Sequence, residues 1–270
     1  MLMQACSTEP DPDEVFTTLI GGSKNDWAFS VEQTFDGGYI IGGTTFSSGA
    51  GWADYYLIKT NSSGNVEWQR TYGGNDYDRG RIGRQLDDGG YILIGYRWNT
   101  GENRTYIYLL NTSVNGYRNW SADFGDAGNS EGNDVIPTFD GGYAIAGKTD
   151  SKGSGGYDAW MIKTGSQGVV EWEQTFGGTG DDEALAIIQT ADSNFALTGY
   201  RSSGASTDLF LIKIDTSGTV LWEKTFGGAA GDTGFAVQQD TAGNFFLAGV
   251  TGSSGAGGSD GWLIKTNEKG

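Results

Sequence analysis

Asp140-Gly141-Gly142-Tyr143-Ala144-Ile145-Ala146-Gly147 runs into a Ser/Gly loop and then into Asp158-Ala159-Trp160-Met161-Ile162-Lys163. A Gln167-Gly168 turn and Glu171-Trp172-Glu173-Gln174-Thr175-Phe176-Gly177-Gly178 follow. Asp-Gly beside apolar residues marks a hairpin, and the short runs rich in aromatic and β-branched residues read as strands. The same text recurs along the chain. Its turn returns as Asp36-Gly37-Gly38-Tyr39, Asp88-Gly89-Gly90-Tyr91, Asp192-Ser193-Asn194-Phe195 and Ala242-Gly243-Asn244-Phe245. Its tryptophan returns at Trp68, Trp120 and Trp222, with Phe16 in the same column ahead of them. A fixed period of about fifty residues with four short strands in each copy is the signature of a propeller blade.

The count is five copies, and the expected fold is an all-β, five-bladed β-propeller with four antiparallel strands per blade. The repeats fall at about 14–66, 67–118, 119–170, 171–220 and 221–270. Glu14–Ile20 reads as a spare outer strand and the last copy lacks one, so the N-terminal strand is expected to close the last blade. A piece of a larger propeller array is the alternative. Residues 1–13 stand apart as a polar, proline-containing tether, expected to be extended.

Composition narrows the function. The 270 residues include 47 glycines but 3 prolines, without the every-third-residue glycine of collagen. There is no histidine, so His-zinc sites and Ser-His-Asp triads are excluded. One cysteine permits no intrachain disulfide. The net charge of −17 disfavours a nucleic-acid partner. No apolar run reaches the length of a membrane span.

The blade pattern resembles the repeats of bacterial and archaeal surface propeller proteins. Lys59–Trp68, with its Ser-Gly turn and tryptophan, is also similar to the PQQ-type propeller repeat of quinoprotein dehydrogenases and outer-membrane assembly lipoproteins. The resemblance implies the fold over residues 14–270 and leaves function open. Met3-Gln4-Ala5-Cys6 resembles a lipobox, which implies lipidation at Cys6, an extracellular or cell-envelope location and membrane contact only through that anchor.

Candidate sites come from breaks in the repeat. Aspartate columns at Asp26, Asp78, Asp182 and Asp232, and at Asp54, Asp158, Asp208 and Asp260, read as loop-binding residues, since equal copies do not supply the asymmetry of a catalytic site. The second copy is different. Val66–Trp120 holds seven of the eight arginines against six acids, adds Trp98, and has Tyr106 and Asn111 where its neighbours carry Asp and Lys. Arg79, Arg81, Arg84, Arg97, Trp98 and Arg104 are the expected ligand-binding group, for an anion or a glycan. The plainer reading pairs these arginines with acids of adjacent blades. In the third copy Asp126, Asn129, Glu131, Asn133 and Asp134 place oxygens near glycines, a calcium candidate without EF-hand spacing. No other cofactor is expected.

Two classes of function compete. The leading expectation is a non-catalytic surface module, more binder than enzyme, that recognises an extracellular glycan, anion or protein. The alternative is a carboxylate-based enzyme acting on glycosides, with Glu32, Asp134 and Asp240 as the non-repeated acids of the inner strands. A PQQ-like scaffold of envelope assembly is the third reading. Five blades and the lone Cys6 do not match the quinoprotein dehydrogenases, which carry a vicinal disulfide.

Overall fold

The computed structural model describes residues 15–202 and 204–270. Cys6 and the tether lie outside these residues. The described residues form nineteen strands in five antiparallel sheets, without a helix. The first sheet holds β1 (Asp26–Gln33), β2 (Tyr39–Thr45), β3 (Asp54–Thr60) and β4 (Val66–Tyr72). The second holds β5 (Asp78–Gln85), β6 (Tyr91–Asn99), β7 (Arg104–Thr112) and β8 (Arg118–Phe124). β9 (Ser130–Pro137), β10 (Tyr143–Thr149), β11 (Asp158–Thr164) and β12 (Val170–Phe176) make the third. β13 (Glu183–Gln189), β14 (Phe195–Ser202), β15 (Thr207–Ile214) and β16 (Val220–Phe226) make the fourth. The fifth has three strands, β17 (Asp232–Gln239), β18 (Phe245–Thr251) and β19 (Asp260–Thr266).

The turn residues account for these boundaries. Gly37 N–H bonds to Thr34 C=O at 2.8 Å, and Gly37 sits at φ +80°, where a side chain would be strained. Asp36 ties the same hairpin by accepting from Gly38 N–H at 3.0 Å. Its other oxygen meets the buried ammonium of Lys59 on β3, and Lys59 also reaches Glu67 at the start of β4. The clamp recurs as Asp140–Lys163–Glu171. In the second sheet Asn111 replaces the lysine and bonds instead to Asn119 and Tyr143.

Successive sheets pack face to face through their middle strands. Ile107 and Leu109 of one sheet meet Tyr143, Ile145, Trp160 and Ile162 of the next, all almost fully buried. The tryptophan column locks the rim: Trp68–Tyr91, Trp120–Tyr143, Trp172–Phe195 and Trp222–Phe245 have ring centroids 5.5–6.1 Å apart. Phe16 makes the matching contact with Tyr39 at 5.9 Å, and Thr18 Oγ1 donates to Gly64 C=O at 2.9 Å.

One expectation is corrected. Residues 15–20 are not in a strand and do not pair with β19, so the N-terminal segment does not close the last blade. β2 packs on β5, β6 on β9, β10 on β13 and β14 on β17, and no comparable packing joins the fifth sheet to the first among the described residues. The segment lies against the first sheet, as the outer strand of a preceding blade would. Its affinity for the first blade's Tyr39 is satisfied, while β19 remains an unpaired edge.

Candidate active site

The aspartate columns do what their repetition implied. Asp54 accepts from Ala50 and Gly51 N–H, Asp158 from Ser154 N–H, and Asp182 from Gly178 and Ser202 N–H. They hold the loops at one end of the sheets. Burial pushes the Asp78 carboxyl up to about 6, and neighbouring Asp54 adds to the effect against a single bond from Gly74 N–H.

Most of the arginines are consumed by the structure. Arg84 Nη2 meets Asp134 Oδ1 of the next sheet at 2.9 Å. Arg97 pairs with Asp123, and Arg104 with Glu102. Arg79 lies over the rings of Trp27 and Phe29 at 5.4 and 5.2 Å. Arg81 faces Glu131 at 3.6 Å. These guanidiniums answer acids and aromatic faces of their own or adjacent sheets, and of the expected ligand-binding group Trp98 lines an open cleft.

Trp98 is a different case. It borders a cleft of about 540 Å³ lined by Trp52, Asp76, Tyr77, Tyr96, Trp98, Thr100, Thr105 and Glu131. Trp52 is 79% exposed. The backbone fixes both indoles: Trp52 N–H donates to Asp76 C=O, and Trp98 N–H to Tyr77 C=O. The result is a pair of aromatic platforms with a carboxylate in the wall.

Glu131 belongs to a group spanning three sheets. It lies directly across the ladder from Lys148 on β10, and Glu183 lies across from Tyr200 on β14. Lys148 Nζ stands 3.7 Å from Glu131 Oε2 and 3.3 Å from Glu183 Oε2, so the two carboxylate oxygens are within about 7 Å of each other. Glu183 is nearly buried and also accepts from Asn133 Nδ2 at 2.8 Å and Tyr200 Oη at 2.9 Å. Arg81 flanks Glu131 from the second sheet.

The acids singled out from sequence do not gather. Asp134 is buried, bonded to Arg84 and to Val135 and Ile187 N–H; burial drives its carboxyl upward, with Arg84 opposing. Asp240 sits in the β17–β18 hairpin, capping Ala242 and Asn244 N–H. Glu32 accepts from Gln85 N–H of the next inner strand at 3.2 Å. Each of Glu32, Asp134 and Asp240 thus has bonding partners of its own, and none of the three lines the Trp52–Trp98 cleft. The calcium candidates likewise bond within the chain. Asp126 pairs with Lys152, Asn129 bonds to Asp150, Asn133 turns to Glu183, and Glu131 and Asp134 face cations. No three acidic side chains gather as metal ligands among the described residues.

A second cleft of about 570 Å³ opens at the hairpin-turn end, beside Asp87, Asp88, Asn111, Asn119 and Trp120. It is lined by a single half-buried indole, Trp120, where the Trp52–Trp98 cleft has two indoles and Glu131, so the latter is the better candidate.

No family model matches the sequence, and no curated protein resembles it in sequence. Among solved structures, a puromycin hydrolase is similar over 87% of this chain at 11% identity, with a TM-score of 0.52. The chain spans 38% of that protein's length. A β-1,2-mannobiose phosphorylase from Listeria innocua matches over 80% of this chain and 67% of its own, at 12% identity and a TM-score of 0.44. An endo-arabinase from Bacteroides thetaiotaomicron matches over 89% and 92%, at 10% identity and a TM-score of 0.44. At these identities the likeness carries the fold, an all-β propeller type of arrangement, and nothing finer. The leading expectation of a non-catalytic binding module, more binder than enzyme, is corrected against these likenesses to a hydrolase, a phosphorylase and an arabinase, and any activity is argued from this chain's own residues.

Proposed function

We propose that the protein is a carboxylate-based enzyme acting on glycosides. The observation that carries this reading is the placement of Glu131 in the wall of the Trp52–Trp98 cleft, with Glu183 held beside it through Lys148. Indole faces offer apolar surface to a sugar ring while the cleft edges stay polar. Glycoside hydrolysis uses two carboxyl groups roughly 5–10 Å apart, one exchanging a proton with the glycosidic oxygen, the other stabilising charge or activating a nucleophile at the sugar carbon. Glu131 lines the cleft and takes the first role. Glu183, fixed by Asn133, Tyr200 and Lys148, takes the second. Lys148 and Arg81 keep the two glutamates from repelling each other across the site.

An extracellular glycan as substrate and lipid anchoring through Cys6 belong to the same reading. Expressed in its native cell the protein is expected to fractionate with membranes, and Cys6→Ser to release it; equal partition of both forms removes the anchor. The enzymatic reading is tested by reducing-sugar release from a panel of plant, fungal and bacterial polysaccharides and aryl glycosides. Turnover of at least one substrate is expected, with Trp98→Ala raising KM. Absence of turnover across the panel, or a Trp98→Ala enzyme with unchanged KM on the substrate found, contradicts it.

A further inference from the structure

Two apolar positions break the burial pattern of the repeat, one at each end of the succession of sheets. Leu263 of β19 is 72% exposed, whereas its equivalents Leu57, Leu109, Met161 and Leu211 are all fully buried against the following sheet. Val31 of β1 is 68% exposed, whereas Val135, Ile187 and Val237 in its column are buried against the preceding sheet. The two residues are the halves of one contact. Within the chain Val237 packs with Ala196, Leu209 and Leu211 of the sheet before it, so Val31 lacks a partner of the kind Leu263 provides.

The receiving surface is already shaped. Between the N-terminal segment and the first sheet lies an apolar groove of about 250 Å³, lined in part by Leu19, Ile41, Tyr56 and Ile58. In the second sheet the positions matching Ile41, Tyr56 and Ile58 are Leu93, Tyr108 and Leu110, and they receive Tyr55 and Leu57 of β3. The segment carrying Phe16 and Thr18 is held in the place of an outer strand by Tyr39 and Gly64, with no third strand beside it among the described residues. β19 supplies that missing strand, and it has an unpaired edge.

We propose that β19 of one copy of this chain enters the groove of a second copy, pairs with residues 16–20 there, and buries Leu263 against Val31, Ile41, Tyr56 and Ile58. The contact continues the blade-to-blade interface that joins the sheets within each chain. A second copy is the occupant because the fifth sheet makes no substantial packing with the first within the chain among the described residues, while the exposed Leu263 and Val31 faces are the two complementary halves of the blade-to-blade contact. The contact is head to tail, so it produces a closed dimer or a longer assembly according to whether the rotation closes. The β3–β4 register, Ile58 opposite Gln69, carried back one repeat, puts Ile264 opposite Thr17 of the partner copy.

Two chains with single cysteines test this, both in a Cys6→Ser background: Thr17→Cys in one, Ile264→Cys in the other. Mixed and oxidised, they are expected to give a disulfide-linked band of twice the chain mass that neither gives alone. Sedimentation of the unaltered protein is expected to show species of two or more chains, and Leu263→Asp to reduce them to single chains with an unchanged unfolding transition. A single-chain species at all concentrations overturns the proposal. So does a mixture that yields no doubled band while the double variant on one chain forms an internal disulfide, the result of closure of each chain on itself. Glycoside turnover is assayed separately on Leu263→Asp, so loss of assembly and loss of activity are distinguishable.

Discussion

Ser193 occupies the left-handed position of its hairpin at φ 66°, where the other four hairpins place Gly37, Gly89, Gly141 and Gly243. A side chain in that region costs about 1–2 kcal/mol, and glycine returns part of this as unfolded-state entropy. Ser193 is exposed and its carbonyl, not its hydroxyl, accepts from Gln189. Ser193→Gly is therefore expected to raise unfolding stability by about 0.5–1 kcal/mol, measured by urea denaturation. The same comparison of columns shows where the site was legible. Trp98 stood out because it had no counterpart in other repeats. Glu131 and Glu183 occupy one column, which reads Trp27, Arg79, Glu131, Glu183 and Thr233, and that irregularity was an available signal. What the sequence could not convey was Lys148, which lies across the ladder from Glu131 and joins the two glutamates only when adjacent sheets are packed.

At the scale of the strand, β5 shows why charge counting misled. Arginines alternating along an inner strand suggested a basic ligand surface. Each inner strand faces the next sheet, however, and β9 presents Glu131 and Asp134 to Arg81 and Arg84. Asp134 is buried and Arg84 is about one-third exposed. Removing the guanidinium leaves a buried carboxylate with backbone partners alone, so Arg84→Ala is expected to lower stability by about 2–3 kcal/mol at pH 7. Arg97→Ala breaks a more exposed pair and is expected to cost under about 1 kcal/mol. Parallel denaturation curves check the contrast. Equal losses would mean that burial does not set the value of these pairs. The strand boundaries themselves were legible almost throughout, because Asp-Gly and Ser-Gly turns fix them locally. The role of residues 15–20 was not, because pairing with β19 depends on how far the sheets carry the chain around.

At the scale of the molecule, the carboxyl groups divide into two sets with opposite pH behaviour. Asp78 has its carboxyl raised to about 6, chiefly by burial. Between the ordinary value near 4 and that value the folded chain holds the proton more tightly than the unfolded chain, so stability rises as pH falls from 7 toward 4. Asp36, Asp140 and Asp192 behave the other way. Burial alone would raise them, yet Lys59, Lys163 and Lys213, with hydroxyl and backbone donors, bring each down to about 2. Their contribution is complete above about pH 4 and is lost as pH falls from there to 2. Thermal unfolding is expected to show a midpoint that rises from pH 7.5 to about 5 and drops below 4. A midpoint that falls steadily from pH 7.5 to 5 contradicts the assignment of Asp78. The reduction of a net charge of −17 acts in the same direction above pH 4, and Asp78→Asn isolates the local part by flattening the rise.

In the proposed function Glu131, in a cleft walled by Trp52 and Trp98, carries glycoside chemistry with Glu183. The most direct measurement is kcat on a turned-over glycoside for the unaltered protein and for Glu131→Gln, which keeps the side chain's size and removes its proton exchange. A fall in kcat of roughly 10²–10⁴-fold is expected, with an unchanged unfolding transition. A Glu131→Gln protein that turns over the glycoside as fast as the unaltered one contradicts it.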